Sequence, residues 1–173
     1  MKLPLWGLVL VLAAGLAAAG CHRTDTTAFN GAWKLDVAAS QNVPAMMQGH
    51  SNVMSLAETP TILTITFIYD GDPLSISKFQ LDRQTHPLNL GGIMGTEKAS
   101  RSANGRGIQI EIARPANHGQ AAQTEDLVFS LGPGGKTIRR TRTVEGQHRP
   151  PQVYIYRKMK ASPAPATVPS RLR

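Results

Sequence analysis

Residues 29–37 read Phe29-Asn30-Gly31-Ala32-Trp33-Lys34-Leu35-Asp36-Val37. On an extended chain Phe29, Trp33, Leu35 and Val37 share one side, while Asn30, Lys34 and Asp36 lie mostly on the other. A period of two marks a strand with one buried face. Such a strand needs neighbours, and the chain supplies them. Residues 61–69, Thr-Ile-Leu-Thr-Ile-Thr-Phe-Ile-Tyr, are rich in the β-branched and aromatic side chains that suit a pleated surface. Asp70-Gly71-Asp72-Pro73 turns the chain. Residues 74–81 return, and a phase slip between Ile76 and Phe79 predicts a bulge.

The pattern continues towards the C-terminus. Residues 82–87 read as a second turn region, and Gly91-Gly92 predicts a bend within 88–93. Residues 94–102 form a polar strand with Thr96, Lys98 and Ser100 on one face. Asn104-Gly105 is a hairpin signal, followed by the alternation of Ile108, Ile110 and Ile112. Leu127, Phe129 and Leu131 mark a strand over 123–131, and Gly132-Pro133-Gly134-Gly135 turns the chain again. Strands over 136–144 and 152–158 complete the set. Residues 38–59 break the pattern and read as a long loop with one helical turn near 45–48, carrying Met46, Met47 and Met54. Such a loop reads either as a methionine-lined lid or as ordinary packing over one barrel end. About eight short strands joined mostly by hairpins predict an all-β domain over residues 29–159, an antiparallel up-and-down barrel or a sandwich.

The flanks differ in kind. Lys2 precedes an apolar run, residues 5–19, which closes on Ala17-Ala18-Ala19-Gly20 and Cys21. That order is an export signal, and about 15 apolar residues fall short of the roughly 18 that read as a spanning helix. An ordinary cut after Ala17-Ala18-Ala19 would leave Cys21 as a free thiol. Residues 21–28 read as a polar tether, and the proline-rich residues 160–173 as a disordered tail. Of 173 residues, removal of the first 20 leaves 153, enough for one domain with a real core. The lone cysteine allows no internal disulfide.

Two resemblances sharpen these expectations. Ala18-Ala19-Gly20-Cys21 resembles the lipobox of bacterial lipoproteins. This implies a signal peptide over 1–20, acyl chains such as palmitate on Cys21, and anchoring in the cell envelope. Two or three acyl chains suffice for a stable anchor. His22, in the place where an Asp would resemble an inner-membrane retention signal, implies the outer membrane, facing the periplasm. Gly31-Ala32-Trp33 resembles the Gly-x-Trp signature of lipocalins. With the 81–87 turn and Met94-Gly95-Thr96, the stretch from Phe29 to Lys158 is similar to small bacterial lipocalin-like proteins. That likeness implies an up-and-down β-barrel and no settled activity.

Chemistry is sparse. His22, His50, His86, His118 and His148 are widely separated, and none pairs at the close spacing of a zinc site. No Gly-x-Ser-x-Gly elbow occurs, and the glycine pairs lack a phosphate-loop context. The reading is a non-enzyme with no metal and no cofactor. The whole chain carries a formal charge of +8. For an exported chain this points away from nucleic acid and towards anionic lipid or envelope polymers. Arg139, Arg140, Arg142 and Arg157 gather on the last two strands, where guanidinium forks suit anionic groups. Alternation sets Arg139 opposite to Arg140 and Arg142, and the ordinary reading of the set is a solvated outer face with Arg139 at a barrel rim. Two functions follow. One is a lipid-anchored barrel holding a small apolar or amphipathic ligand among Trp33, Ile65, Phe67, Ile110 and Phe129, under Met46 and Met47. The other is an envelope interaction protein acting through a basic outer face, with no ligand inside.

Overall fold

The computed structural model describes residues 28–89, 92–117 and 121–160. The readings of the leader, Cys21, the tether up to residue 27, Gly91, His118 and the tail from residue 161 lie outside these residues. Ten strands follow one another in a single antiparallel sheet: β1 (Gly31–Gln41), β2 (Asn52–Glu58), β3 (Ile62–Tyr69), β4 (Asp72–Gln80), β5 (Thr85–Asn89), β6 (Met94–Arg101), β7 (Gly107–Arg114), β8 (Gln123–Leu131), β9 (Thr137–Val144) and β10 (Gln152–Lys158). The order is β4-β3-β2-β1-β10-β9-β8-β7-β6-β5. The first and last strands pair, so the chain curls into an up-and-down barrel whose ends, β4 and β5, do not pair with each other. The all-β expectation holds.

Ten strands replace the expected eight or so. β2 lies inside the stretch read as a loop, and residues 42–51 and Thr59 remain irregular, with a 3₁₀ turn at Ala45–Met47. Asn52, Met54, Leu56 and Glu58 all face inward on β2. Two polar residues on the buried face hid the period. β5 lies where a turn was expected, because Pro87 sits inside it. Proline is tolerated there because β5 is an edge strand. The bulge in β4 lies at Leu74 rather than between Ile76 and Phe79, since Phe67 pairs with Ser75 and Ile68 with Pro73. Ser75, Ser77 and Phe79 keep one face, and two serines among them imitated a phase slip.

The core runs along the barrel axis. Phe29, Trp33, Leu56, Leu63, Ile65, Ile108, Ile110, Phe129, Ile138 and Tyr156 are all at most 3% exposed. The Gly-x-Trp stretch closes one end, which we call the base. Trp33 Nε1 donates to the carbonyl of Phe29 at 2.9 Å. The Lys158 ammonium lies 5.0 Å from the indole ring. Gly31 has φ +128°, and a Cβ there would stand 3.4 Å from Lys158 Cε. Glycine thus supplies a backbone angle that other residues rarely adopt. An Arg101–Glu58 ion pair lies buried at the same end. The opposite end, the mouth, carries residues 42–51 and the β3–β4 hairpin.

Candidate functional site

β9 decides what the interior contains. Its pairings set Ile138 opposite Tyr156, Arg140 opposite Tyr154 and Arg142 opposite Gln152. Directly opposite residues share a face. Arg140 and Arg142 therefore follow Ile138 into the barrel, and Arg139 points out. The solvated outer face considered for Arg140 and Arg142 is corrected here: both lie on the inner face. Arg157 points outward, and its Nε donates to Asp36 Oδ2 at 2.6 Å. The basic outer patch is thus reduced to Arg139 and a cation already paired.

The two inner arginines differ in their partners. Arg142 Nε and Nη2 donate to the two oxygens of Glu125 at 2.8 and 3.0 Å, and its Nη1 donates to Gln152 Oε1 at 3.0 Å. Arg114 approaches the same carboxylate at 3.4 Å. Burial pushes the Glu125 carboxyl up, but the hydrogen bonds from Arg142 and the charges of Arg142, Arg114 and Arg140 outweigh it and hold it below its ordinary value. This pair is neutralised within the barrel.

Arg140 has no such carboxylate among the described residues. Its guanidinium lies 5.1 Å from the ring centres of both Phe67 and Tyr154. Aromatic faces attract a cation by about 0.5–2 kcal/mol, and Arg140 is only partly buried. Arg140 Nε and Tyr156 Oη are buried and make no hydrogen bond of full geometry, although the Arg140 guanidinium lies near enough to the hydroxyl to act on it. Burial raises the Tyr156 hydroxyl well above its ordinary range, against the pull of Arg140. A phenol donor therefore stands in the same site as a cation that no carboxylate contacts among the described residues.

Both residues line a cavity of about 190 Å³ together with Met47, Asn52, Phe67, Tyr69, Leu74 and Ser75. Of the residues expected around a ligand, Phe67 and Met47 line it. Trp33, Ile65, Ile110 and Phe129 are packed into the core, and Met46 projects into solvent. Side chains fill most of the interior but leave this space. Its cover is tied down by polar bonds. Tyr69 Oη donates to the carbonyl of Met46 at 3.0 Å, and Asn52 Nδ2 donates to that of Met47 at 2.9 Å. Asp70 accepts from His50 Nδ1 and Ser51 N–H, both at 2.7 Å. A larger hollow of about 460 Å³ lies along β6, β7 and β8, beside Ser100, Asn104, Gln109 and Ser130. Its Arg106 donates to the carbonyls of Leu131 and Gly132, so its charge is already hydrogen-bonded.

Tyr156, Asn52 and Ser75 were not visible as site residues in the sequence. The parity of Arg140 with Ile138 was the available signal, since residues two apart on a strand share a face.

No protein-family model and no curated protein matches this sequence. Solved structures do. A Schistosoma mansoni fatty acid binding protein in complex with arachidonic acid superposes with a TM-score of 0.54 at 13% identity, covering 78% of this chain and 98% of that one. Caenorhabditis elegans lipid binding protein 8 gives 0.54 at 9% identity, over 77% and 96% of the two chains. A secretory abundant heat soluble protein from Ramazzottius varieornatus gives 0.56 at 10% identity, over 76% and 96%. At these identities the likeness establishes the fold, a lipocalin-like antiparallel barrel of the shape that fatty-acid-binding proteins share.

Proposed function

We propose that this protein is a binding protein, not an enzyme, and that it holds an amphipathic ligand with an anionic head, of the carboxylate class, inside the barrel. One observation carries the reading: the Arg140 guanidinium, which no carboxylate contacts among the described residues, and the Tyr156 hydroxyl meet at a cavity that Phe67, Met47 and Leu74 also line. A carboxylate there would accept charge-assisted hydrogen bonds, which are stronger than neutral ones. Phe67 and Met47 would hold the adjoining methylenes. That several barrels of the same fold bear the names of fatty acid and lipid binders supports the reading.

Calorimetric titration of the full chain tests it with octanoate, an anionic amphipath, and octyltrimethylammonium, a cationic one. Octanoate binds, the cation does not, and Arg140→Gln weakens octanoate about tenfold or more. Equal binding of both probes would overturn the reading.

The same proposal places the barrel in the cell envelope, anchored by acyl chains on Cys21 at the outer membrane and facing the periplasm. The charged start, apolar run and small residues before Cys21 support this. In bacteria fed a labelled fatty acid, the chain takes up label and fractionates with membranes, and Cys21→Ser abolishes both. Label retained by Cys21→Ser would refute the anchor.

A further inference from the structure

The cavity is small for the ligand class it suits. Pockets that enclose a whole drug-sized ligand start near 300 Å³, and this one holds about 190 Å³. The packed core of Trp33, Ile65, Ile138 and Phe129 blocks extension towards the base. A longer chain must leave the barrel, and the wall shows where. Leu74 lines the cavity and is nevertheless 73% exposed. Ser75 faces inward by its pairing with Phe67, yet it too is exposed. The interior therefore opens at the β4 edge.

That edge belongs to the seam between β4 and β5. Near the base the seam is closed. Gln80 N–H donates to Glu97 Oε1 at 3.2 Å, Arg83 N–H donates to the Ala99 carbonyl at 3.0 Å, and Phe79 is buried. Towards the mouth residues 72–76 are all exposed, and Ile76, opposite Thr66 on the outer face two residues beyond Leu74, is 56% exposed. Across the seam, half-buried Leu88 packs against the core. A visiting β-strand is a poor occupant, because each edge carries a proline, Pro73 or Pro87, that offers no N–H. An alkyl chain needs no such bonds and gains from covering Leu74 and Ile76.

Resting on the Arg140 reading, we propose that a long single-chain amphipath binds head-in and tail-out: its anionic group meets Arg140 and Tyr156, and its distal methylenes leave over Leu74 and lie along Ile76 at the open β4 edge. The exposed leucine and isoleucine are then the outer half of the ligand site. Chains of different length share one head site and differ only in how much of the edge they cover.

Calorimetric titration of the full chain with octanoate and hexadecanoate tests this, using wild type and the double variant Leu74→Ser, Ile76→Ser. Both side chains are exposed, so the fold is retained, which circular dichroism checks. The double variant weakens hexadecanoate about tenfold, the scale of one lost leucine-sized apolar contact, and leaves octanoate within about twofold. Equal weakening of both acids would reduce Leu74 to a cavity wall and overturn the proposal. An unchanged hexadecanoate affinity would overturn it as well. The head reading fails separately: if Arg140→Gln spares both acids while the double variant still weakens only hexadecanoate, the tail site stands and the head site is wrong.

Discussion

Arg140 and Glu97 show how single inward-facing charges act in this barrel. Arg140 is a cation held between two rings with no carboxylate in contact among the described residues, and it is the group proposed to meet a ligand's anionic head. Glu97 is only 3% exposed, on the inner face of β6. Burial raises its carboxyl above the ordinary value, opposed by the Gln80 N–H and by His86, and reinforced by Asp82. A carboxyl raised in the folded state favours folding most below its unfolded value, near 4.3. That contribution is lost as pH rises through the folded value. Glu97→Gln keeps an acceptor for Gln80 and removes the charge. Its stability relative to the parent should therefore grow between pH 4 and pH 7, read as the difference in Tm at each pH. A difference that shrinks over that range would mean that Glu97 is a paired ion. Glu125 has the opposite sign: its lowered carboxyl stabilises above the ordinary value, and the effect fades as pH falls through the folded one.

At the scale of elements, the first strand was legible because its apolar period is unbroken from Trp33 through Val37, and β7 because three isoleucines alternate. β2 was illegible because Asn52 and Glu58 occupy inward positions. Asn52 turns in to hold the 42–51 segment, and Glu58 turns in to meet Arg101. Both are tertiary reasons for a polar residue on a buried face, and no local pattern announces them. The end of β1 is irregular for a related reason. Ser40 Oγ accepts from Ile155 N–H at 2.9 Å, so a side chain replaces a ladder bond where the register to β10 slips. The Gly-x-Trp element yields a direct test. Gly31→Ala forces a Cβ into a backbone angle that only glycine adopts easily. Denaturant unfolding should show a loss of about 2 kcal/mol with an unchanged m-value. A loss below about 0.5 kcal/mol would mean that the base relaxes around the methyl group.

At the scale of the molecule, ten strands that each pair with a chain neighbour make a barrel of largely local topology, closed through β1 and β10 and left with one seam. The seam is bonded near the base and open towards the mouth, and the cavity meets it there. The alternation of residues 29–37, 61–69 and 108–112, with the turn residues between strands, determined by itself that this protein is an antiparallel all-β fold, because strand formation and hairpin turns depend on side chains a few positions apart. The basic cluster on the last two strands was also visible, as was the parity that splits Arg139 from Arg140 and Arg142. Which parity faces the core, the presence of β2 and β5, the pairing of Glu125 with Arg142 rather than Arg140, and the opening at Leu74 were decided only by the tertiary structure. Each depends on what stands opposite across a strand pair or across the barrel, and a one-residue change of register would reverse it.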